Sequence, residues 1–334
     1  MNASRLSMRA RAGLLALAAL VLAGVAVGYT VRAAERRPEP AAAEATFTLE
    51  GPRLYFRSAG SEGKGNGGRV AYRPVDGPAP GARTVGGGPA CERFYAAGGT
   101  GLCLQRRPGV PPRTYAVVLD RRMREVRRVA VPGIPNRARV SASGRMLSWT
   151  NFAVGDSYAS SSFSTRTSIL DLRTGFLVKN MEQIPLTIDG RRYHAPDVNY
   201  WGVTFARDDN RFYATVSTKG RTYLVEGDMR AWSARALREN VECPSLSPDN
   251  TRLVFKKQVR DDPRRPWRLY ALDLRTMREW PLAETRSVDD QAAWLDNDTV
   301  AYGLAPGDIW SVPASGTARP RLLIRGGTSP SPVR

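Results

Sequence analysis

Two neighbouring segments decide the fold: Cys243-Pro-Ser-Leu-Ser-Pro-Asp-Asn-Thr-Arg-Leu-Val-Phe255 and, after a charged loop, Trp267-Arg-Leu-Tyr-Ala-Leu-Asp-Leu-Arg-Thr276. In the first, Ser-Pro-Asp-Asn supplies the residues of a tight turn between two short alternating segments. In the second, Asp-Leu-Arg-Thr begins another turn before a fourth segment, Arg278-Glu-Trp-Pro-Leu282. The pattern predicts four antiparallel strands, with the long charged loop between the second and the third.

The same order of strands and turns recurs six times along residues 47–334. The equivalent apolar residues of the second strand in each copy are Leu54, Leu102, Met146, Phe212, Leu253 and Val300. Their spacings are 48, 44, 66, 41 and 47 residues, and a four-stranded propeller blade takes about 40–50 residues. The repeat therefore predicts an all-β fold, a six-bladed β-propeller of four-stranded blades, with insertions in the third copy.

The first copy lacks an innermost strand before Arg53. The chain ends with an unassigned segment, Ser329-Pro-Ser-Pro-Val333, which is similar to Pro244-Ser-Leu-Ser247 in the fifth copy. We expect the C-terminal segment to complete the first blade and close the ring; the alternative is a frayed tail.

Residues 12–31 form an uncharged apolar run of 20 residues, which follows a basic segment at 1–11. About 20 such residues span a bilayer as a helix, and positive charge before the run keeps the N-terminus in the cytoplasm. The run predicts one N-terminal transmembrane signal-anchor helix, or alternatively a cleaved signal peptide, followed by a linker at 32–46. The expected location is the cell membrane, single-pass with the C-terminal domain outside, or alternatively secretion.

The segment Ser247-Pro-Asp-Asn-Thr-Arg-Leu-Val-Phe255 followed by Leu269-Tyr-Ala-Leu-Asp-Leu-Arg-Thr276 resembles the PD40 (WD40-like) repeat of the TolB-like propellers. The resemblance covers roughly residues 47–334 and is clearest in copies three to six. It implies an extracytoplasmic protein that binds other proteins on one face of the ring. Residues 1–46 are taken up by the anchor and the linker. We therefore expect this chain to share only the protein-binding role of the family's propeller domain.

The chain has a formal net charge of +19 with 50 basic residues, nearly all arginine. Such a charge favours attraction to polyanions, although it is also typical of proteins from GC-rich genomes. The basic residues are scattered through every segment, so no dedicated nucleic-acid surface is expected. The expected partner is a protein or an anionic envelope polymer, and we expect a monomer.

Little in the sequence points to catalysis, and no cofactor is expected. The single histidine, His194, lies in a loop and is expected at the surface, and the Gly-x-Ser-x-Gly turn of serine hydrolases does not occur. The alternative is a lactonase-like or lyase-like propeller enzyme with a metal in the central channel. Five acidic residues at the junctions between blades motivate it: Glu92, Asp197, Glu242, Asp289 and Asp290.

Two of the three cysteines fall on adjacent strands of the second copy. Cys91 lies near the start of its first strand and Cys103 near the end of its second, where an antiparallel pair brings side chains close. We predict a Cys91–Cys103 disulfide with Cys243 free and buried; the alternative is three packed thiols.

Recognition is predicted on one face of the ring, where the loops are long and varied. These loops are Arg57–Gly68, Gln105–Arg113, Asn151–Arg166, Pro185–Trp201 and Lys256–Pro266. They carry aromatic and arginine side chains, which protein interfaces favour. The binding-face candidates are Tyr158, Tyr193, Tyr200, Trp201, Arg260 and Arg264; disorder of the Ser/Gly-rich loops is the alternative.

Overall fold

The computed structural model describes residues 22, 24, 47–59, 68–75, 84–110, 112–153, 164–262 and 264–334. Residues Phe47–Arg334 form one compact unit. Apart from Leu22 and Gly24, the predicted anchor and linker lie outside the described residues. Within the described part of the chain, no helix is long and apolar enough to cross a membrane.

The described strands form six sheets, which are the blades of a six-bladed β-propeller. Blade 1 contains β1 (Arg53–Ser58), β2 (Arg69–Pro74), β3 (Val85–Ala90) and β26 (Gly327–Val333). Blade 2 contains β4 (Arg93–Ala97), β5 (Thr100–Arg107), β6 (Arg113–Leu119) and β7 (Glu125–Val131). Blade 3 contains β8 (Ile134–Val140), β9 (Met146–Phe152), β10 (Thr165–Asp171) and β11 (Leu177–Val178).

The other three blades follow the same antiparallel order. Blade 4 contains β14 (Asn199–Phe205), β15 (Arg211–Thr218), β16 (Arg221–Asp228) and β17 (Ser233–Glu239), and it is extended by β12 (Leu186–Ile188) and β13 (Arg191–Tyr193). Blade 5 contains β18 (Glu242–Leu246), β19 (Arg252–Gln258), β20 (Trp267–Asp273) and β21 (Glu279–Pro281). Blade 6 contains β22 (Ala293–Trp294), β23 (Thr299–Leu304), β24 (Asp308–Pro313) and β25 (Arg321–Ile324).

The apolar core lies between neighbouring blades. Leu102 and Leu104 of blade 2 pack with Trp149 of blade 3, and Tyr213 of blade 4 packs with Phe255 of blade 5. The middle strands are therefore buried on both faces, which explains why β9 and β15 are almost continuously buried. Face-to-face packing of this kind requires the next blade, so closure of the ring matters for stability.

The C-terminal strand lies at the inner edge of blade 1. β26 pairs antiparallel with β1, where Tyr55 is opposite Ser331. The buried Ser331 Oγ accepts a hydrogen bond of 2.7 Å from the backbone N–H of Ala96 in blade 2. Blade 1 is thus built from both ends of the propeller segment.

Part of the insertion in the third copy forms a short 3-10 helix, Met181–Gln183, and the hairpin β12–β13. β12 pairs in parallel with β17, the outermost regular strand of blade 4. Met181, Ile184 and Leu186 are buried in the same apolar cluster as the blade. The insertion therefore extends blade 4 at its outer edge.

The connections divide between two faces. The short-turn face carries the turns between first and second strands, at residues 98–99, 141–145, 206–210, 247–251 and 295–298. The long-loop face carries the connections from second to third strands and from blade to blade. One connection on the short-turn side, residues 75–84 between β2 and β3, is also long.

The paired Asp and Asn residues on the short-turn face serve the turns themselves. Asp249 accepts hydrogen bonds from the hydroxyl of Ser247 and the backbone N–H of Thr251, at 2.5 and 3.1 Å. Asp208 likewise accepts from the backbone N–H groups of Asn210 and Arg211. This is the use of aspartate in turns that the sequence pattern predicts.

Candidate binding site in the central channel

The innermost strand of each blade lines the channel. These strands are β4, β8, β14, β18, β22 and β26. Because side chains alternate along a strand, Arg137 and Arg139 of β8 share a face, and both are buried. Gln291 crosses between blades by donating to the carbonyls of Val203 and Pro244, at 3.1 and 2.8 Å.

The long-loop end of the channel holds a cluster of paired charges. The ammonium of Lys256, whose side chain is 4% exposed, lies 2.6 Å from a carboxylate oxygen of Asp289 and 3.7 Å from one of Glu242. Arg137 lies 3.6 Å from Asp289. Another predicted junction acid, Asp290, accepts the backbone N–H of Gly303 at 2.8 Å.

These contacts set the ionisation of the cluster. Burial raises the pKa of Glu242, and attraction to Lys256 only partly offsets that effect. Burial also works against ionisation of Asp289, but attraction to Lys256 and Arg137 prevails and lowers its pKa. Burial, together with repulsion by Arg137, lowers the pKa of Arg93.

The acidic residues that motivated a channel metal thus have other partners. Lys256 lies against both Asp289 and Glu242, in the place where a divalent cation would have to bridge them. Asp197 accepts from Thr218 and Lys219, and Glu92 lies 3.9 Å from Arg57. Among the described residues, no group of three His, Cys, Asp or Glu side chains is placed to hold a metal ion.

The short-turn end of the channel is different, because it opens into a cavity of about 230 Å³. Its lining residues include Tyr95, Arg139, Thr204, Arg207, Ser245 and Trp294. Aspartate and glutamate are missing from the described lining residues. The channel is therefore charge-balanced at its long-loop end and positively charged at its short-turn end.

Two of the predicted binding-face residues are buried. Tyr200 and Trp201 are only 1% and 5% exposed, so the expectation that they form a binding surface is wrong. Both belong to the innermost strand β14, where alternate residues pack against neighbouring blades. Burial raises the pKa of the Tyr200 hydroxyl.

The other candidates differ in exposure. Tyr193 is partly buried and its hydroxyl lies 2.9 Å from that of Thr218. Arg260 and Arg264 are exposed on the loop between β19 and β20. Tyr158 lies outside the described residues. His194 is exposed, as expected from its place in a loop.

The predicted disulfide is confirmed. Cys91 and Cys103 are bonded, with their Cα atoms 5.4 Å apart. Cys243 is free and buried, also as predicted. The bond joins the segment before β4 to β5, which hydrogen-bonds with β4 along its length.

Sequence reasoning missed Arg139, Thr204 and Ser245, which lie together at the cavity. A signal was available in Arg137-Ala-Arg139, because two arginines two residues apart on an innermost strand must share one face. The neighbours of these two arginines could not be predicted from the sequence, since Thr204 and Ser245 belong to other blades.

No family model matches the chain, and no curated protein matches it in sequence. TolB from Acinetobacter baumannii is 13% identical, covers 86% of this chain and 68% of its own, and has a TM-score of 0.55. A chain from the crystal structure of a nidogen/laminin complex is 9% identical, covers 84% of this chain and 97% of its own, and has a TM-score of 0.53. Oligogalacturonate lyase in complex with manganese is 11% identical over 83% of this chain and 86% of its own, but its TM-score of 0.41 is too low to support an argument. The first two similarities show a shared propeller fold, which agrees with the repeat.

Proposed function

We propose that this chain is a propeller held outside the cytoplasmic membrane by residues 12–31, where it binds a protein partner through its long-loop face. The observation that carries the proposal is the charge cluster at the long-loop end of the channel. Lys256 and Arg137 together supply the positive charges opposite Asp289 and Glu242 there. A binding role therefore fits these residues better than the metal-dependent lactonase-like or lyase-like alternative.

Exposed groups on the long-loop face support its role in recognition. Arg260 and Arg264 extend from one loop, and neither guanidinium is buried. Arginine is enriched at protein interfaces because its planar group forms several directed hydrogen bonds. An acidic surface on the partner would complement these side chains.

Two independent features support the proposed location outside the cytoplasmic membrane. The run at 12–31 is long enough to span a bilayer, with basic residues before it. The Cys91–Cys103 disulfide is typical of proteins that fold in an oxidising compartment. If the run is cleaved, the same propeller would be secreted.

The structural neighbours are consistent with a binding role. A TolB-like propeller is among them, and another comes from a nidogen/laminin complex. Propellers of this shape offer a broad, rigid face on which loops can vary without disturbing the blades.

The proposal is tested by capture from an envelope extract with the full chain as bait. We expect Arg260→Glu/Arg264→Glu to reduce recovery of the partner at least about tenfold, since charge reversal at an interface costs several kcal/mol. The matched control is Arg122→Glu/Arg275→Glu, which reverses two exposed arginines in turns of the short-turn face.

Three outcomes would contradict the proposal. Loss of the partner only in the control variant would place recognition on the other face. Capture that survives protease treatment of the extract would indicate an envelope polymer. Stoichiometric metal in the purified chain, with no captured partner, would favour the enzyme alternative.

A further inference from the structure

Arg139 is a buried cation for which the described part of the chain provides no counter-ion. The residue is 5% exposed, and among the described residues no carboxylate forms an ion pair with its guanidinium. Arg137, two residues earlier on the same strand, is also buried but lies 3.6 Å from Asp289. Arg137 therefore has the ion-pair partner that normally offsets the cost of burying a charge, and Arg139 lacks one among the described residues.

The protein provides hydrogen-bond partners for only part of the Arg139 guanidinium group. One terminal nitrogen, Nη2, donates to Ser245 Oγ at 3.2 Å and to the carbonyl of Ala292. The face of the guanidinium lies 4.4 Å from the centroid of the Tyr95 ring. Nε, however, is buried and, like Nε of Arg137, has no hydrogen-bond partner among the described residues. A buried donor and an uncompensated charge both cost stability, so their retention at a cavity points to a ligand.

Two other residues that line the cavity, Thr204 and Ser245, carry hydroxyl groups. Thr204 Oγ1 accepts the backbone N–H of Leu246 at 3.1 Å, and Ser245 Oγ accepts from Arg139. Each hydroxyl group also carries a proton of its own, which it can donate. Arg139, Thr204 and Ser245 thus supply donors from three blades, and Arg207 adds a second positive charge to the lining.

We propose that this cavity binds a small hydroxylated carboxylate, such as a sugar acid. The carboxylate would pair with Arg139 and accept from Thr204 and Ser245, because charge-assisted bonds to oxyanions are the strongest that these groups form. The cavity of about 230 Å³ is smaller than the roughly 300–1,000 Å³ of drug-sized pockets. Its ligand is therefore of monosaccharide size, and the aromatic residues Tyr95 and Trp294 are among those that line the cavity.

The site is separate from the proposed protein-binding face, since it opens at the opposite end of the channel. It would let the ring bind an acidic small molecule while its long-loop face contacts a partner. The proposal for the long-loop face can therefore fail without affecting this one, and the reverse also holds.

The first test is isothermal titration calorimetry of the full chain with sodium glucuronate, with glucose as the neutral match and glucose 6-phosphate as the phosphate-bearing match. We expect glucuronate to bind at least about tenfold more tightly than glucose, since a hydrogen-bonded charge pair contributes this much or more. Arg139→Gln should remove the preference, whereas Arg137→Gln should keep it, because Arg137 lies outside the cavity lining.

The second test distinguishes a ligand-binding arginine from a structural one. Without ligand, Arg139→Met should leave the melting temperature unchanged or raise it, because it removes an uncompensated buried charge. Arg137→Met should lower the melting temperature, because it removes a partner of Asp289. Glucuronate should raise the melting temperature of the wild-type chain in proportion to the logarithm of its concentration when in excess.

The proposal is overturned if the wild-type chain does not prefer glucuronate to glucose, or if Arg139→Gln binds glucuronate as the wild type does. A melting temperature lowered as much by Arg139→Met as by Arg137→Met would show that Arg139 is structural. Tighter binding of glucose 6-phosphate than of glucuronate would overturn the assignment to a carboxylate.

Discussion

An aspartate near the end of the third strand organises the turn that follows it in four of the blades. Asp120, Asp171, Asp228 and Asp273 each accept hydrogen bonds from backbone N–H groups two to four residues later. An aspartate side chain can do this in a turn without any distant partner. The repeated Asp in the sequence is therefore a marker of structure and needs no catalytic explanation.

Asp171 has an additional partner that makes it testable. Arg145 from the preceding turn forms two bonds to its carboxylate, at 2.8 and 2.7 Å. We expect Asp171→Asn to lower the free energy of unfolding at pH 7 by about 1–3 kcal/mol, as for other hydrogen bonds to charged groups. Urea unfolding measures the effect, and Asp261→Asn, in an exposed loop, is the control.

The same pair predicts a pH dependence. The hydrogen bonds from Arg145 hold the pKa of Asp171 well below its usual range, which is about 3.9 in an unfolded chain. Its contribution to stability is fully present above that unfolded value and is lost as the pH falls towards the folded pKa. The difference between wild type and Asp171→Asn should therefore shrink between about pH 5 and pH 2; a constant difference would contradict the assignment.

The Cys91–Cys103 disulfide should also contribute to stability. Reduction of Cys91–Cys103 should lower the free energy of unfolding by about 2–4 kcal/mol, since the bond restricts a short loop in the unfolded chain. Urea unfolding with and without dithiothreitol measures the change. The double variant Cys91→Ala/Cys103→Ala should be insensitive to dithiothreitol, and a comparable response in that variant would assign the effect to Cys243.

Among the elements, β26 completes blade 1 and also contacts the neighbouring blade. It pairs with β1 of its own blade, and its Ser331 contacts Ala96 of blade 2. The other five blades take all four regular strands from one continuous segment. Blade 1 therefore depends on the last residues of the chain.

A chain that ends at Gly326 should lose cooperative unfolding, because β1 and β4 would each expose an inner surface normally covered by β26. Near-UV circular dichroism and thermal unfolding measure this loss. A synthetic peptide of residues 327–334 added in trans should restore part of the near-UV signal, whereas a scrambled peptide should not. An unchanged melting temperature in the truncated chain would show that β26 does not close the ring.

The hairpin β12–β13 is the element that the repeat could not predict. The spacing of 66 residues between Met146 and Phe212 indicated an insertion in the third copy. Its parallel pairing with β17 joins Leu186 to Ala234, and residues this far apart along the chain leave no local sign of their contact. Strand propensity identifies a strand but not its partner.

The net positive charge of the whole molecule should strengthen its attraction to an acidic partner. The net charge of +19 extends over the entire chain, so attraction to an acidic partner acts over roughly a Debye length at low salt. Partner capture should therefore fall when sodium chloride is raised from about 50 to about 500 mM, since the Debye length falls severalfold over this range. Capture that does not change with salt would show that arginine excess plays no part in recognition.

The fold could be predicted from the sequence more completely than the candidate binding surface. Six blades, the turn aspartates and the Cys91–Cys103 bond follow from residues that are close along the chain. The proposed long-loop surface was predicted less well, because Tyr200 and Trp201 look like interface residues by type alone. Their burial follows from the packing of β14 against neighbouring blades, which residue type does not reveal.

The sequence by itself determined the propeller, its repeat length and the chemistry of its turns, because each blade is a local unit of strands and tight connections. Only the tertiary structure decided which charges are paired in the channel. Arg137 of blade 3 and Asp289, which precedes blade 6, meet only across the channel, whereas no carboxylate among the described residues forms an ion pair with Arg139. Contacts between blades depend on closure of the whole ring, and no stretch of sequence contains that information.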